Sequence, residues 1–411
     1  MTMTTIAARP DATRIARRHL VTALLCGLVL LLDGFDTQAI SYAAPAIAQD
    51  WHLSRAALGP IFSAGLAGLM AGYLALSPLA DRFGPKRMVV ASTAAFAVAT
   101  LATVLARDVP ELIALRFLTG LGLGAGLPAA VALTGEYSPP RLRATFVLAI
   151  YVGFSLGFVA AGAATAWLLP LYGWTALFWV GAILPLLLCP VLAWALPESQ
   201  DYLLRRRGPP AAIMRQVVQG DRRLGTLLLW LVFAINLGAF YLLQSWLPTL
   251  LTELHRGLDL VTAATALSTT GGIVAAFVVG PAMDRLGACR VLAVLYAVGA
   301  IGVALLGPAL AASPTELMLT SFFAGFCISG GQKSAIALAT LYYPAAIRST
   351  GLGLALGVGR AGGIGGPLLA GALLAAGWSP TWLFGLVAAA MVAAALATAA
   401  LGRLYRQSDW A

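Results

Sequence analysis

The stretch SPLADRFGPKR at positions 77–87 decides the fold, because the chain repeats its pattern as GPAMDRLGACR at positions 280–290. Both copies pair an aspartate with an arginine and a glycine two places later, and the two aspartates are 203 positions apart. A second match joins residues 119–145 to residues 324–350 at an offset of 205. Two matches at nearly the same spacing indicate an internal duplication. The sequence therefore predicts two related halves.

The composition of these halves predicts a membrane protein. Of 411 residues, 60% are hydrophobic and 10% are charged, against about 25% charged in an average soluble domain. A transmembrane helix needs about 20 apolar residues, and such runs follow one another along the chain. The predicted spans are 20–46, 56–80, 88–106, 111–137, 144–168, 175–197, 224–251, 260–283, 291–312, 316–343, 350–375 and 381–402. We therefore expect an all-α polytopic membrane protein with twelve transmembrane helices.

The placement of charge predicts the orientation. The formal net charge is +10, which by itself would suit a nucleic-acid partner. If both termini are cytoplasmic, however, 20 of the 26 lysines and arginines fall on cytoplasmic segments, and the outer loops hold only Arg55, Arg107 and Arg256. This is the positive-inside distribution of a membrane protein, so we expect lipid and no nucleic acid. The four cysteines lie within or beside apolar segments and form no C-x-x-C pair, so we expect no metal and no cofactor. The three histidines lie outside the spans, which argues against a buried histidine proton relay.

The repeated loops have two interpretations. An Asp-Arg-x-Gly turn between two helices needs glycine, and its acid can face the N-terminus of a neighbouring helix. Either the charged turn only sets topology, or it is a latch that breaks and re-forms as the protein rocks. The candidate gating residues are Asp81, Arg82, Gly84, Asp284, Arg285, Gly287 and, near the cytoplasmic end of span four, Glu136.

Two acids fall within span one. A charge near the bilayer centre costs on the order of 3 kcal/mol on insertion scales, so it usually marks a pathway or a coupling site. Asp33 and Asp36 are three positions apart and share a helix face. Repulsion between close carboxylates favours protonation of one of them, which suits proton coupling. The alternative is that one of the two simply bonds a neighbouring helix.

Basic residues outnumber acids at this depth. Arg116, Lys333 and Arg360 lie inside spans, which leaves one excess positive charge. An unpaired buried cation is costly, so a carboxylate substrate would complete the set, with Arg360 able to bind it through two hydrogen bonds. The alternative is that Lys333 is neutral or reaches a wet cavity. The other candidates for substrate contact are Phe35, Tyr241, Gln244 and Gln332.

The paired loops resemble the signature of the major facilitator superfamily, with Ser77 where that family usually has glycine. The resemblance covers essentially the whole chain and implies two six-helix bundles that alternate access to a site between them. The bundles would be 20–197 and 224–402, joined by a cytoplasmic linker at 198–223. Cytoplasmic segments at 1–19 and 403–411 would flank them.

Further stretches resemble the aromatic acid:proton symporters. They are DGFD at 33–36, RFLTGLGLG at 116–124, LPES at 196–199, SWLP at 245–248, GGQ at 330–332 and RSTG to GVGR over 348–360. Carriers of 4-hydroxybenzoate and 3-(3-hydroxyphenyl)propionate look similar. The resemblance implies uptake of an aromatic carboxylate with protons, with Asp33, Asp36 and Arg360 as essential residues. Lys333 departs from the family, which usually has a small neutral residue there, and this points to a second anionic group on the substrate or to a shifted pose.

We therefore expect a proton-coupled importer of an aromatic or related organic acid, not an enzyme, working as a monomer in the bacterial inner membrane. Proton-driven efflux of organic compounds or drugs is the alternative. Antiporters of that kind usually carry a Gly-Pro-rich motif in span five, whereas here Gly153 and Gly157 are followed by Phe158. A sensor or a membrane enzyme is disfavoured by the lack of an appended soluble domain or a nucleophile–base pair in the sequence.

Overall fold

The computed structural model describes residues 16–53, 55–204 and 210–404, and the regular secondary structure over these ranges is entirely helical. Most of the N-terminal segment predicted at 1–19, part of the linker predicted at 198–223 and most of the tail predicted at 403–411 lie outside the described residues.

Each half of the chain contributes six long helical rods. In the first half these are α1 (Arg17–Asp50), α2 (Arg55–Ala71) continued by a π-helical turn (Gly72–Leu76) into α3 (Ser77–Phe83), α4 (Pro85–Thr103), α5 (Val109–Glu136), α6 (Arg143–Tyr172) and α7 (Thr175–Ala195). Two short helices, α8 (Gln200–Leu204) and α9 (Pro210–Val217), follow. The second half comprises α10 (Arg222–Glu253), α11 (Leu258–Leu286), α12 (Ala288–Ala309), α13 (Pro314–Tyr342), α14 (Arg348–Ala375) and α15 (Pro380–Leu404).

Ten of the described rods are long and apolar enough to cross a membrane. The other two are α4, which begins beside Lys86 and Arg87, and α13, which holds Gln332 and Lys333 at mid-length. Both pack between spans, α4 against α5 and α7, and α13 against α11 and α12. Large apolar side chains such as Trp194 and Leu396 lie exposed on the outer surface, where lipid covers them. The predicted twelve-helix membrane fold is confirmed.

The duplication extends to the way in which helices begin. The Asp108 carboxylate accepts a hydrogen bond from the Glu111 backbone N–H at 2.8 Å and caps α5. At the equivalent place Ser313 caps α13, with its hydroxyl accepting from the Glu316 N–H while the Glu316 carboxylate accepts from the Ser313 N–H. Such caps satisfy backbone donors that a helix leaves unpaired at its start.

Helix pairing follows the same symmetry. In the first half α1 packs on α6 and α2 on α5, and in the second half α10 packs on α14 and α11 on α13. Close approach depends on glycines at equivalent positions. A Cβ added to Gly120 would collide with the Gly65 carbonyl of α2, and one added to Gly325 would collide with the Ser268 carbonyl of α11. Small residues at such crossings let helix backbones pack closely within a membrane.

The two bundles meet mainly through one helix of each, α6 and α14. Helix α6 of the first bundle packs against α11 and α13, and α14 of the second packs against α3, the π-helical turn and α5. The interface between the bundles therefore runs through the centre of the molecule.

Candidate functional site

A cavity of about 60 Å³ lies between the bundles. Side chains from both halves line it, including Asp33, Leu69, Tyr73, Leu127, Tyr151, Phe154, Ser155 and Phe158 from the first bundle and Leu237, Phe240, Gln244, Thr269, Ser329, Gln332, Lys333, Ile336, Leu356 and Arg360 from the second. Its charged lining residues are one acid, Asp33, and two bases, Lys333 and Arg360. Aromatic side chains make up much of the remaining wall. The site is thus apolar overall and carries a few convergent polar groups, as small-molecule sites usually do.

Arg360 is held in this cavity by tyrosines. Its Nη1 donates to the Tyr241 hydroxyl, and its guanidinium carbon lies 5.8 Å from the Tyr73 ring centroid and 5.4 Å from that of Tyr241. The side chain is 8% exposed, and its Nε is buried without a hydrogen-bond partner among the described residues. No carboxylate lies within ion-pair distance of it in the part of the chain that the structure describes. The guanidinium is therefore fixed in place with donors to spare for an anion.

Asp33 faces the same cavity from α1. It is 4% exposed, and its carboxylate accepts one hydrogen bond, at 3.3 Å, from the Thr37 hydroxyl one turn later. Arg360 is near enough to act on it electrostatically. The next residue, Gly34, packs directly on the Phe154 backbone of α6, which fixes the depth of the carboxylate within the bundle.

Lys333 enters the cavity from α13. Its Nζ donates to the Gly272 carbonyl of α11 at 2.7 Å, and the side chain is 5% exposed. Among the described residues no carboxylate pairs with it. The amino group is thus bound by a neutral acceptor, and when it is protonated no carboxylate of the described residues compensates its charge.

Asp36 lies in a different environment from Asp33. Its carboxylate is 3.3 Å from Nη1 of Arg116 and accepts a 2.8 Å hydrogen bond from the Thr100 hydroxyl. Arg116 in turn donates to the hydroxyls of Thr103 and Thr119 at 2.8 and 3.0 Å. This ion pair lies within the first bundle, away from the central cavity.

The two acids therefore have different partners, although Asp36 remains near enough to Asp33 to act on it electrostatically. Asp33 faces the other bundle, whereas Asp36 faces Arg116. Asp36 thus bonds the neighbouring helix α5, which is the alternative that the sequence left open for one of the two acids, and neither Asp36 nor Arg116 lines the central cavity.

The remaining candidates for substrate contact divide between two places. Gln244 and Gln332 line the cavity, and Tyr241 adjoins it through Arg360. Phe35 instead packs in an apolar cluster with Trp174 and Phe178 of the first bundle. The side chain of Phe35 points away from the cavity because α1 presents only one face to the second bundle.

Several aromatic lining residues were not among the predicted site residues. Tyr73, Tyr151, Phe154 and Phe240 lie in apolar spans, where an aromatic residue can equally face lipid. The π-helical turn at Gly72–Leu76 holds Tyr73 next to Arg360. A polar tyrosine in the middle of a span is the signal that would have pointed to this residue.

The repeated loops lie at the end of the bundles where α1 begins and α15 ends. The Asp284 carboxylate accepts hydrogen bonds from the backbone N–H groups of Ala144 and Thr145, both at 2.8 Å, and from the Thr145 hydroxyl. These groups form the N-terminus of α6, in the other bundle. A carboxylate here is stabilised both by the unpaired donors and by the helix dipole.

Asp81 makes the equivalent contact in the opposite direction. It accepts from the backbone N–H groups of Ser349 and Thr350 at 3.3 and 2.7 Å, and from the Thr350 hydroxyl at 2.7 Å. These groups form the N-terminus of α14. Each loop therefore bonds a helix of the other bundle, which is the geometry that a latch between bundles requires.

The other loop residues have local contacts. Gly84 and Gly287 end one helix and begin the next with φ of 105° and 95°, a conformation that residues with a Cβ avoid. The side chains of Arg82 and Arg285 are exposed, with Arg82 over the Phe83 ring at 5.1 Å.

Glu136 bonds the linker in this structure. Its carboxylate accepts from the backbone N–H groups of Gln200 and Asp201 at 2.7 and 3.2 Å and so caps α8. A neighbouring acid, Glu198, accepts from the Lys86 N–H at 3.1 Å at the start of α4. The two acids tie the beginning of the linker to the first bundle.

Comparison with known proteins agrees with this fold and site. A family model described as Major Facilitator Superfamily matches residues 26–274 and 229–410. The chain therefore belongs to the major facilitator superfamily, and the prediction of a transporter rather than an enzyme is confirmed. In structure it is similar to the proton:xylose symporter XylE bound to 6-bromo-6-deoxy-D-glucose, with a TM-score of 0.74 at 20% identity over 92% of this chain and 94% of that one.

Three relatives are similar in sequence over almost their whole length. A gallate transporter of Pseudomonas putida is 38% identical over 95% of this chain and 94% of its own. The 4-hydroxybenzoate transporter PcaK of Pseudomonas aeruginosa is 40% identical over 92% and 90%. The 3-(3-hydroxy-phenyl)propionate transporter of Escherichia coli is 38% identical over 92% and 93%. The predicted resemblance to carriers of aromatic acids is confirmed.

Proposed function

We propose that this protein imports an aromatic or related organic carboxylate together with protons, by alternating access between its two bundles. The observation that carries the proposal is the charge of the central cavity, which holds one acid and two bases. Relatives at 38–40% identity are named for gallate, 4-hydroxybenzoate and 3-(3-hydroxy-phenyl)propionate. A carboxylate on an aromatic ring is the group that such a cavity would neutralise.

Arg360 is the proposed binding group for the carboxylate. Its planar guanidinium offers parallel donors that match a carboxylate, and Tyr73 and Tyr241 hold it in place. The aromatic ring of the substrate would lie among Phe154 and Phe240, which line the same cavity. Gln244 and Gln332 would hydrogen-bond the polar substituents of the ring.

Asp33 is the proposed site of proton coupling. While ionised it attracts the Arg360 guanidinium, which weakens the hold of Arg360 on a substrate carboxylate. Protonation removes that competition, so proton binding and substrate binding favour each other, which is the reciprocity that coupled transport requires. Asp36 would contribute indirectly, because its ion pair with Arg116 fixes the shape of α1 and α5 beside Asp33.

The two loop contacts are the proposed latch of the transport cycle. If both termini are cytoplasmic, as the distribution of basic residues suggests, Asp81 and Asp284 join the bundles on the cytoplasmic side. Release of the substrate to the cytoplasm then requires both contacts to break. We place the protein in the bacterial inner membrane and propose that it acts as a monomer with no nucleic-acid partner, since each chain contains a complete cavity.

Uptake of labelled 4-hydroxybenzoate and 3-(3-hydroxyphenyl)propionate into proteoliposomes tests the proposal. Because neutral aromatic acids also cross lipid unaided, we expect accumulation above that of protein-free liposomes when the lumen is alkaline, and collapse of that excess when an ionophore dissipates the pH gradient. Asp33→Asn should lose gradient-driven accumulation while exchange of internal for external substrate persists. Glu253→Gln, exposed at the end of α10, removes an acid outside the cavity and serves as the control. Uptake indifferent to the gradient would contradict symport, and export would favour the efflux alternative.

A further inference from the structure

The charge on Lys333 has no role in the binding of a single carboxylate by Arg360. Its ammonium group carries three donors, and one of them is used on the neutral carbonyl of Gly272 at 2.7 Å. A buried cation is costly unless an anion accompanies it. Elsewhere in this fold the buried cation Arg116 has its anion, Asp36, at 3.3 Å. In the wall of the cavity, by contrast, Lys333 has no anionic partner among the described residues.

The excess of positive charge in the cavity grows when Asp33 takes up a proton. With Asp33 ionised the cavity carries one excess positive charge. Once Asp33 is protonated, as the proposed function requires, Lys333 and Arg360 both lie in the cavity with no carboxylate of the described chain to pair with. A monoanionic substrate would neutralise one of them, whereas a dianion would neutralise both.

The surroundings of Lys333 suit a second polar group. Thr269 of α11 and Ser329 of α13 line the cavity with Lys333, and Ser329 packs directly on Gly272, which accepts the lysine hydrogen bond. Arg360 approaches from the neighbouring helix α14, and aromatic side chains lie in the same wall. The cavity thus offers two cationic positions and apolar surface for a ring.

We propose that Lys333 forms a second anion subsite and that the preferred substrates are aromatic acids with two anionic groups, such as benzenedicarboxylates. This inference rests on the proposed function and names the substrate class of that same site. Arg360 binds one carboxylate and the free donors of Lys333 bind the other. The competing role for Lys333 is a purely structural tie between α13 and α11.

The test measures competition in proteoliposomes with an alkaline lumen. Labelled benzoate is the reporter, and unlabelled benzoate, phthalate, isophthalate and terephthalate are the competitors, because the three dicarboxylates differ from each other only in the spacing of the second group. A hydrogen bond to a charged partner is worth on the order of a tenfold change in affinity. We therefore expect at least one dicarboxylate to compete about tenfold better than benzoate, and the best isomer reports the separation of the two subsites.

Variants assign that preference to Lys333. Lys333→Gln should lower the ratio of dicarboxylate to benzoate affinity about tenfold, and Lys333→Arg should preserve a preference for the dicarboxylate. Arg290→Gln, which removes an exposed positive charge on α12, is the control and should leave the ratio unchanged. The inference is overturned if no dicarboxylate competes better than benzoate, or if Lys333→Gln leaves the ratio as it was.

A second measurement tests the subsite if Lys333→Gln does not fold. The rise in thermal unfolding midpoint of purified wild-type protein and of Lys333→Arg in detergent is compared between each dicarboxylate and benzoate. Greater stabilisation by a dicarboxylate supports the second subsite, and equal or smaller stabilisation overturns it. Absence of gradient-driven benzoate uptake would count against the proposed function instead, and the thermal comparison would still test for the second subsite.

Discussion

Asp81, in the first half of the chain, accepts hydrogen bonds of 2.7 Å from both the backbone N–H and the hydroxyl of Thr350, in the second half. Asp284 makes the corresponding contacts with Thr145 in the opposite direction. The duplication relates the two pairs, so the bundles are joined at two equivalent places. Both contacts place a carboxylate against a helix N-terminus, where unpaired N–H donors and the helix dipole stabilise it.

Removing the charge of one latch should favour its opening. Asp81→Asn keeps the shape of the side chain, but it loses the charge and one acceptor oxygen, and loss of a cap costs about 1 kcal/mol. That corresponds to roughly a fivefold shift in the equilibrium between closed and open bundles. A cysteine introduced at the buried Ser349 should then react several-fold faster with a membrane-impermeant thiol reagent applied from the latch side.

Arg82→Gln provides the matched control, because Arg82 adjoins Asp81 in the chain but its side chain is exposed. It should leave the labelling rate of residue 349 unchanged. Equal labelling in Asp81→Asn and in the unaltered latch would show that the contact does not hold the bundles together.

The turn glycines should tolerate substitution by alanine far less than glycines that have open space around them. Gly84 has a φ of 105°, and a Cβ there would also meet the Glu198 carboxylate, so Gly84→Ala should destabilise the protein by at least about 1 kcal/mol. Gly385, in the second turn of α15, has nothing within 4 Å of an added Cβ, and Gly385→Ala should be neutral or stabilising by about 0.5–1 kcal/mol. Thermal unfolding midpoints in detergent compare the two, and similar midpoints would contradict the role of φ.

The sequence predicted the features that depend on local pattern. Apolar runs predicted the spans, the repeated Asp-Arg-x-Gly loops predicted related halves, and the resemblance to known carriers predicted the two-bundle architecture. The loops also predicted an acid near a helix N-terminus. Which helix each acid would meet did not follow, because the partners of Asp81 and Asp284 lie 268 and 140 positions along the chain from them.

The partners of the α1 side chains were harder to predict from the sequence. Asp33, Phe35 and Asp36 lie within one turn of α1, and spacing alone suggested that the two acids act together. Tertiary packing gives them different partners, because α5 brings Arg116 to Asp36 while Asp33 lines the cavity with Arg360. Tyr73 was missed for the same reason, since the face that a residue in a wholly apolar span presents is decided by its neighbours.

Binding of the substrate should depend on the planar geometry of the Arg360 guanidinium as well as on its charge. Arg360→Lys keeps the charge but cannot make two parallel hydrogen bonds to a carboxylate. Tyr241→Phe removes the hydroxyl that accepts from Arg360. We expect KM for an aromatic acid to rise on the order of tenfold in the first variant and a few-fold in the second, as one hydrogen bond contributes about 1 kcal/mol.

Tyr172→Phe removes an exposed hydroxyl at the end of α6 and is the control for Tyr241→Phe. Both measurements use initial uptake rates at a fixed pH gradient. A KM in Arg360→Lys equal to that of the unaltered protein would remove the proposed carboxylate-binding role.

Substitutions of the two acids of α1 should have different effects, one on stability and the other on transport. Asp36→Asn leaves the buried guanidinium of Arg116 without its ion-pair partner, and breaking a buried pair in this way costs about 3–5 kcal/mol. Removing both partners, in Asp36→Asn with Arg116→Gln, should cost less than the sum of the single changes, because no unpaired charge remains.

Asp33→Asn, by contrast, removes an acid that has no ion pair among the described residues, so it should leave the unfolding midpoint nearly unchanged while abolishing accumulation driven by the pH gradient. Thermal unfolding and proteoliposome uptake on the same preparations give both quantities. If Asp33→Asn destabilised the protein as strongly as Asp36→Asn, the two acids would share one structural role, and the assignment of proton coupling to Asp33 would be wrong.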